Sequence, residues 1–259
     1  MSRGEKGRID KLLVDRGLIG TRERGKALIM AGKVMVNGAR VDKPGAAVPI
    51  DAEIIVKEPP PYVGRGGIKL AGALDHFGID VEGRVILDIG SSTGGFTDCL
   101  LQRGASKVYA IDVGKGLIDW KLRNDPRVVL LEGKNIRYLE AGEVGEDADM
   151  AVIDVSFISL EKVIPRVSQL LKGSWEIVAL IKPQFEVGKG QVGKGGIVRD
   201  PAKHTMVVER IQAFAEASGM AVEGVCDSPI KGGKGNREFW IYLKGETGRV
   251  VADKSAHLS

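Results

Sequence analysis

Short apolar runs that alternate with helical patterns cover most of the chain after residue 64. Seven of these runs are typical of strands, at residues 84–88, 107–112, 128–131, 150–154, 177–182, 222–228 and 239–244. Most are continuously apolar, as in strands that are covered on both faces. The alternation predicts a Rossmann-like α/β domain, a mostly parallel seven-stranded sheet with helices on both faces. Ligands of such domains bind beyond the carboxyl ends of the strands, where the strand order reverses.

The chain before residue 58 has a different pattern. Ile9, Leu12 and Leu13 are spaced as on one face of a short helix, and Gly17 closes that stretch. Thr21 is placed to cap a second helix over about residues 22–31. That helix is expected to bury residues Ala27, Leu28 and Ala31.

A hairpin and a proline run complete this first segment. The dipeptide Asn37-Gly38 favours a type I′ turn between strands at 34–36 and 39–41, and a further strand is expected at 53–57. Three prolines at 59–61 form a stiff linker. We therefore expect a small α+β domain at 1–58, a linker at 59–64, an α/β domain at 65–245 and a flexible polar tail at 246–259.

Composition narrows the class of protein. With 259 residues, 43% hydrophobic and 28% charged, the chain is typical of globular proteins. No apolar run approaches the roughly 18–20 residues of a membrane helix, and the first residues lack the apolar core of a signal peptide. We therefore expect a cytoplasmic protein. Two cysteines and three scattered histidines lack metal-ligand spacing, so no metal site is expected.

The positive charge is concentrated at one end of the chain. Residues 1–60 hold 12 lysines and arginines against 8 acidic residues, whereas the remaining residues hold 26 of each. A basic surface confined to a small domain favours docking on a polyanion such as RNA. A merely solvated surface would show the same composition.

A glycine-rich loop follows the first strand of the α/β domain. Asp88 ends that strand, residues 90–95 hold three glycines, and Asp112 ends the next strand. Such a loop lets the backbone approach a nucleoside, and the later acid can accept hydrogen bonds from ribose hydroxyls. Ser92 stands where a dinucleotide fingerprint has its second glycine, which weakens an NAD interpretation. The loop therefore has three interpretations: a nucleoside site, a dinucleotide site or a purely structural glycine turn.

Four further charged residues stand at the expected sheet edge or next to it. Asp154 and Lys182 end the fourth and fifth strands, Glu238 opens the last one, and Lys69 lies in a helical pattern. Each has an ordinary alternative: a helix cap for Asp154, a strand-end lysine reaching solvent for Lys182, and exposed surface charges for Lys69 and Glu238. Only the four together indicate catalysis.

The first segment resembles the S4 family of RNA-binding modules. The likeness spans about 55 residues, from Arg8-Ile-Asp-Lys-Leu-Leu through Arg22 and Lys26 to the hairpin. It implies that the two helices grip structured RNA. The residues that it places on the RNA face are Arg8, Lys11, Arg22, Lys26 and Lys33.

The rest of the chain, to about Lys244, resembles the FtsJ-like (RrmJ-like) ribose 2′-O-methyltransferases. Lys69, Asp154, Lys182 and Glu238 match their Lys-Asp-Lys-Glu tetrad, and an S4-like module before this domain is similar to the TlyA (hemolysin A) family. The likeness implies S-adenosylmethionine (SAM) as cofactor and a cytidine of ribosomal RNA as substrate. The residues expected to bind SAM are Asp88, Gly90, Ser91, Ser92, Thr93, Gly94, Gly95, Phe96, Asp112 and Asn135.

The resemblance also implies roles for the tetrad. Lys182 is expected to promote deprotonation of the 2′-hydroxyl or to stabilise its developing charge, with Asp154 and Lys69 setting its protonation state and orientation. Glu238 would orient Lys69 or the ribose. A Gly-rich loop over 184–199 is interpreted as a substrate loop. Basic residues expected to meet RNA near the site are Arg65, Lys189 and Lys194.

Three other functions stay open at this stage. The protein could be a non-catalytic RNA-binding or ribosome-associated protein, which retention of the tetrad and the glycine loop disfavours. The hemolysin label suggests membrane lysis, but the sequence has no spanning segment. An NAD-dependent enzyme is disfavoured by Ser92. We expect ribosomal subunits as partners, no membrane, and a monomer or weak dimer.

Overall fold

The computed structural model describes residues 5–16, 18, 19, 21–57, 61–188, 190–193 and 195–246. The chain forms two compact units, residues Met1–Pro60 and Pro61–Ser259. Gly17, part of the predicted linker and residues 247–259 of the predicted tail lie outside the described residues. None of the described helices is both long enough and apolar enough to cross a membrane.

The described residues of the first unit form two helices and five short strands. In chain order they are β1 (Lys6–Arg8), α1 (Ile9–Asp15), α2 (Arg22–Met30), β2 (Val34–Val36), β3 (Ala39–Val41), β4 (Ala47–Pro49) and β5 (Ile54–Val56). An antiparallel sheet has the order β3-β2-β5, and β1 pairs with β4. The Thr21 hydroxyl caps α2 by accepting from the Arg24 amide at 3.3 Å. The predicted helices, hairpin and cap are all present.

The buried face of α2 differs from the predicted one. Leu28 is buried as expected, but Ala27 and Ala31 are exposed, and Gly25 and Ile29 are buried instead. A Cβ on Gly25 would lie 2.4 Å from Ile19 Cδ1. The missing side chain therefore lets α2 approach its neighbours along the Gly25 face, which turns Ala27 outward.

The second unit is built on one seven-stranded sheet. Its strands are β6 (Val85–Ile89), β7 (Lys107–Asp112), β8 (Val128–Glu132), β9 (Ala148–Ile153), β10 (Leu171–Ile181), β11 (Ala221–Asp227) and β12 (Phe239–Glu246). They lie in the order β11-β12-β10-β9-β6-β7-β8. Strand β12 runs antiparallel to both of its neighbours, β10 and β11, and the other neighbouring pairs described are parallel. The order reverses between β6 and β9, which places a ligand crevice at their carboxyl ends.

Helices cover both faces of this sheet. They are α3 (Arg65–Phe77), α4 (Gly95–Gln102), α5 (Trp120–Arg123), α6 (Ile164–Ser168), α7 (Pro183–Glu186) and α8 (Pro201–Ala217). Side chains of α3 and α4, including Leu74 and Leu100, build the apolar layer on one face. Side chains of α6 and α8, including Ile164 and Ile211, build the layer on the other. The predicted α/β fold class is confirmed.

Candidate active site

The ends of β6, β9 and β10 and the start of β12 bring the candidate residues to one edge of the sheet. Ile153 on β9 pairs with Ile89 on β6 and with Ala179 on β10, while Ile181 on β10 pairs with Phe239 on β12. The residue that follows or precedes each paired position therefore lies at the same edge. Gly90, Asp154, Lys182 and Glu238 occupy these places.

Lys182 and Asp154 form an ion pair at this edge. Lys182 Nζ lies 2.5 Å from Asp154 Oδ1, and only 11% of the lysine side chain is exposed. The same ammonium group donates a hydrogen bond to Ser156 Oγ at 3.1 Å. Ser159, not Asp154, caps the following 3₁₀ turn. The helix-cap alternative for Asp154 and the solvent-reaching alternative for Lys182 are therefore both wrong.

Lys69 and Glu238 form a second, more deeply buried pair. Lys69 Nζ donates to Glu238 Oε2 at 2.6 Å, and their side chains are 10% and 2% exposed. The Gln184 amide donates to Glu238 Oε1 at 3.4 Å. Neither charge is therefore the exposed surface group that each would be if read alone. Burial of a charged pair is costly, which makes a purely incidental contact a poor explanation.

Backbone geometry explains the glycines of the loop after β6. Gly90 and Gly94 have φ angles of 86° and 92°, in the left-handed region that favours glycine. A Cβ on Gly90 would lie 2.5 Å from the Asp154 carbonyl oxygen, and one on Gly94 would lie 2.3 Å from Leu122 Cδ1. Ser92 also adopts a positive φ of 50°. The loop therefore passes closely beside the strand end that carries Asp154.

Other predicted loop residues differ in exposure. Ser92 and Thr93 are exposed, whereas Ser91 and Gly95 are buried. A Cβ on Gly95 would lie 3.0 Å from the Gly67 amide of α3. Phe96 is buried too, with its ring 5.6 Å from that of Trp240. Gly95 and Phe96 therefore join the loop to the core, and their contact with a cofactor stays a prediction.

Asp88 is a buried carboxyl group with an unused oxygen. Its Oδ2 accepts from the Thr97 hydroxyl at 2.6 Å, while Oδ1 has no hydrogen-bond partner in the described part of the chain. Burial raises the pKa of Asp88 to about 7, and the nearby charges of Asp154 and Asp112 add to that shift. An orphaned carboxylate oxygen next to a glycine loop is suited to a cationic ligand group.

Asp112 is held by two backbone amides. Its Oδ2 accepts from Ser92 N at 2.8 Å and its Oδ1 from Gly114 N at 2.7 Å. A carboxylate oxygen can accept a second hydrogen bond, so both remain able to accept from ribose hydroxyls. Asn135 is exposed, and its side chain caps a 3₁₀ turn by accepting from Arg137 N at 3.1 Å. Its predicted contact with an adenine stays untested.

The predicted RNA-facing residues of the first unit are partly paired. Arg8 donates twice to the buried Asp10, at 3.0 Å each, and Arg22 Nε donates to the same carboxylate at 2.9 Å. These arginines hold the pKa of Asp10 down to about 2. Lys11 is exposed, and Lys26 and Lys33 are half-buried.

Three basic residues were predicted beside the catalytic edge. Arg65 is exposed and donates to the Lys231 carbonyl at 2.8 Å. Lys189 and Lys194 lie outside the described residues. Their predicted contacts with RNA stay predictions.

Several residues at the site escaped the sequence reasoning. Ser156 and Gln184 lie two residues after Asp154 and Lys182, so they share the segments that were already singled out. Thr97, which binds Asp88, falls one turn into α4. Gly232, next to Glu238, had no signal, because its importance lies in a contact with a distant side chain.

Comparison with known proteins adds the following. Residues 62–245 match the model of the FtsJ-like methyltransferase family, and residues 7–54 match that of the S4 domain. The chain is 45% identical over 249 residues to the 16S/23S rRNA (cytidine-2′-O)-methyltransferase TlyA of Mycobacterium tuberculosis, covering 95% of this chain and 93% of that protein. It is 40% identical over 237 residues to Hemolysin A of Brachyspira hyodysenteriae, covering 91% and 99%.

A solved structure agrees with these relatives. The structure described as "Putative hemolysin from Streptococcus thermophilus" is 46% identical, is matched over 93% of this chain and 89% of its own, and superimposes with a TM-score of 0.71. The likeness therefore extends over both units of the chain.

Proposed function

The chain belongs to the FtsJ-like methyltransferases that carry an N-terminal S4 domain, and from that premise we propose that it methylates the ribose 2′-hydroxyl of a cytidine in ribosomal RNA. The observation that carries the proposal is the pair of lysine–carboxylate contacts beside the glycine loop. SAM is the methyl donor. The relatives named for cytidine-2′-O-methylation support the choice of nucleotide.

The residues beside β6 and β7 fit SAM. The unpaired oxygen of Asp88 suits an ammonium group such as that of the methionine moiety, and Asp112 can accept from ribose hydroxyls. SAM has no pyrophosphate, so Ser92 in place of a second glycine is no obstacle. Bound SAM supplies an electrophilic methyl group on its sulfonium centre. We infer that residues 90–94 and Asn135 border this ligand.

Lys182 is the residue that we assign to the 2′-oxygen. The ammonium group of Lys182 is ion-paired with Asp154 and donates one of its three N–H groups to Ser156. A remaining N–H group can donate to the 2′-oxygen of the ribose. A donor that is already oriented stabilises negative charge as it develops on that oxygen. The hydroxyl proton then passes to solvent while the oxygen takes the methyl group, and the bond from that methyl to sulfur breaks to leave a neutral thioether. Asp154 positions the ammonium group.

Lys69 and Glu238 form the other half of the site. Because Glu238 binds both Lys69 and Gln184 of the short helix after Lys182, it links α3 to α7. We infer that this pair positions the ribose and the segment that carries Lys182. The described contacts join Lys69 to Glu238 and Lys182 to Asp154. They therefore favour a direct influence of Asp154 on Lys182 over one of Lys69.

Substrate and setting follow from the same premise. The S4 domain and the relatives that modify ribosomal RNA support ribosomal subunits as the substrate. We therefore propose that the protein works in the cytoplasm. All four tetrad side chains come from one chain, which supports activity as a monomer or within a weak dimer.

The direct test is transfer of labelled methyl from SAM to separated, unmodified small and large ribosomal subunits. We expect wild-type protein to label RNA at a cytidine 2′-oxygen. Loss of the aligned donor in Lys182→Ala should lower the rate by about 100-fold or more, with SAM affinity unchanged. Lys172→Ala, which removes an exposed lysine from the opposite end of β10, should behave as wild type.

Two results would contradict the proposal. If wild-type protein binds SAM and a subunit tightly without labelling RNA, the chain acts as an RNA-binding protein. If Lys182→Ala loses SAM binding as well, Lys182 supports the cofactor site and not the reacting oxygen.

A further inference from the structure

A cavity of about 490 Å³ lies between two loops of the second unit. One loop contributes residues 197–199 and the other contributes residues around the 3₁₀ turn Gly233–Gly235. Four basic side chains line it, those of Arg199, Lys231, Lys234 and Arg237. Among the described residues that line it, none is acidic. The cavity is therefore electropositive.

Most of this positive charge has no ion-pair partner among the residues that the structure describes. Arg237 donates twice to Asp227, at 2.9 Å each. Arg199, Lys231 and Lys234 form no ion pair with any residue in the described part of the chain. Three uncompensated cations around one cavity repel each other, whereas a bound anion would compensate all three. The cavity therefore suits an anionic ligand.

A buried amide holds the two loops together. Asn236 is only 3% exposed, and its Oδ1 accepts from Val198 N at 3.1 Å. Its Nδ2 donates to the Gly196 carbonyl at 3.0 Å. Because this side chain of the second loop binds two backbone groups of the first loop, the distance across the cavity is set before any ligand binds.

The cavity adjoins the segment that carries Glu238, and this position indicates which anion it binds. Residues 231–237 lead directly into Glu238, and Gly232 lies against the Glu238 carboxylate. Arg65, at the start of the helix that carries Lys69, donates to the Lys231 carbonyl. A ribose placed at the catalytic edge brings its flanking phosphates with it. A phosphodiester group is therefore the anion that would lie closest to the cavity, and lysine and arginine are the usual side chains that bind it.

We propose that this cavity binds a backbone phosphate of the RNA strand beside the target nucleotide, with Arg199, Lys231 and Lys234 as its ligands. The inference rests on the proposed function, because it assumes that RNA occupies the adjoining edge. It assigns to these residues the placement of the strand. Phosphate contacts fix the register of a nucleic acid without reading its sequence.

The test uses the full chain with Lys231→Gln and Lys234→Gln combined. The matched control combines Lys107→Gln and Lys172→Gln, which removes the same charge from the amino ends of β7 and β10. Binding of a labelled ribosomal RNA fragment is measured without SAM as a function of potassium chloride concentration. Methyl transfer to the same RNA and SAM affinity are measured separately.

We expect the cavity variant to reduce the slope of log affinity against log salt by about 0.7 to 0.9, the effect of one lost phosphate contact. Its KM for RNA should rise about 5- to 10-fold, with SAM affinity unchanged. The control should keep the wild-type slope and KM. Since the binding arm needs no turnover, an absence of methyl transfer by wild-type protein would refute the proposed function and leave this test intact.

Two outcomes would overturn the inference. The first is a cavity variant whose salt slope and KM equal those of the control. The second is binding of inorganic phosphate to wild type that the variant loses while its RNA slope stays unchanged, which would make this a free-anion site.

Discussion

Glu238 can occupy its position because residue 232 has no side chain. A Cβ on Gly232 would lie 1.9 Å from Glu238 Oε1, and the carboxylate is the movable partner in that clash. We expect Gly232→Ala to displace the carboxylate, break its contact with Lys69 and lower methyl transfer at least about 10-fold. The overall fold should persist, because the clash involves the end of a side chain and no backbone. Methyl-transfer rate and thermal unfolding would measure the two effects.

The neighbouring glycine supplies the control. A Cβ on Gly233 would meet no atom within 4 Å, so Gly233→Ala should retain wild-type activity. Equal losses in both variants would mean that the flexibility of this turn, and not the space for Glu238, is what the reaction needs.

Asp88 should make the stability of the second unit depend on pH. The folded-state pKa of about 7 lies above the reference value of 3.8. Between these values the unfolded chain is ionised while the folded one holds its proton, so stability falls as pH rises from about 4 to 7. We expect Asp88→Asn, which does not titrate, to gain about 2–4 kcal/mol relative to wild type over this range.

Urea unfolding of the ligand-free protein at pH 4 to 8 would measure this difference. The three tryptophans of the protein all lie in the second unit and report on its unfolding; they are Trp120, Trp175 and Trp240. Other titrating groups cancel when the two proteins are compared at each pH. A difference that stays constant with pH would show that Asp88 is ionised throughout, already paired with a cation.

Most of the candidate site residues could be named from the sequence because the tetrad stands at strand ends or near the glycine loop. Local spacing in the sequence could not predict which of these lysines contacts which carboxylate. The family resemblance implied that Asp154 acts on Lys182 and that Glu238 orients Lys69 or the ribose, and the described contacts join those pairs; the implied influence of Lys69 on Lys182 has no direct contact among the described residues. Which carboxylate meets which lysine depends on strand order and register, and local spacing carries neither.

At the scale of elements, apolar continuity was a good guide to the central strands and a poor one to strand ends. The fifth strand of the domain was predicted from residue 177, but β10 begins at Leu171. Lys172, Gly173 and Ser174 look like a turn. The strand nevertheless runs through them, with a φ of 63° at Gly173, because Ser174 and Trp175 pair with Glu246 and Gly245 of β12. A neighbouring strand thus overrides the local preference.

The short strands β1 and β4 escaped prediction for the same reason. Lys6–Arg8 has a polar sequence with a glycine, and Ala47–Pro49 ends in proline. Neither has a clear alternation of apolar and polar residues. Lys6 pairs with Pro49 across a wide separation in sequence. Their pairing becomes favourable only once α1 and the loop after β3 are in place.

At the scale of the whole molecule, the excess positive charge and the proposed catalytic residues belong to different units. The charge surplus lies within residues 1–60, and the two lysine–carboxylate pairs lie in the second unit. Affinity for RNA and methyl transfer should therefore be separable by substitution. Each phosphate contact that is lost should reduce the salt dependence of binding by about 0.7 to 0.9 in slope.

We expect Lys11→Gln, Lys26→Gln and Lys33→Gln together to lower the salt slope of RNA binding by about 2 and to leave SAM affinity unchanged. The matched set is Lys107→Gln, Lys172→Gln and Lys244→Gln, all paired with acids on the second unit. Both sets lower the net charge equally. If they changed the slope by the same amount, total charge would govern binding; a change confined to the first set would locate the RNA contacts on the S4 unit.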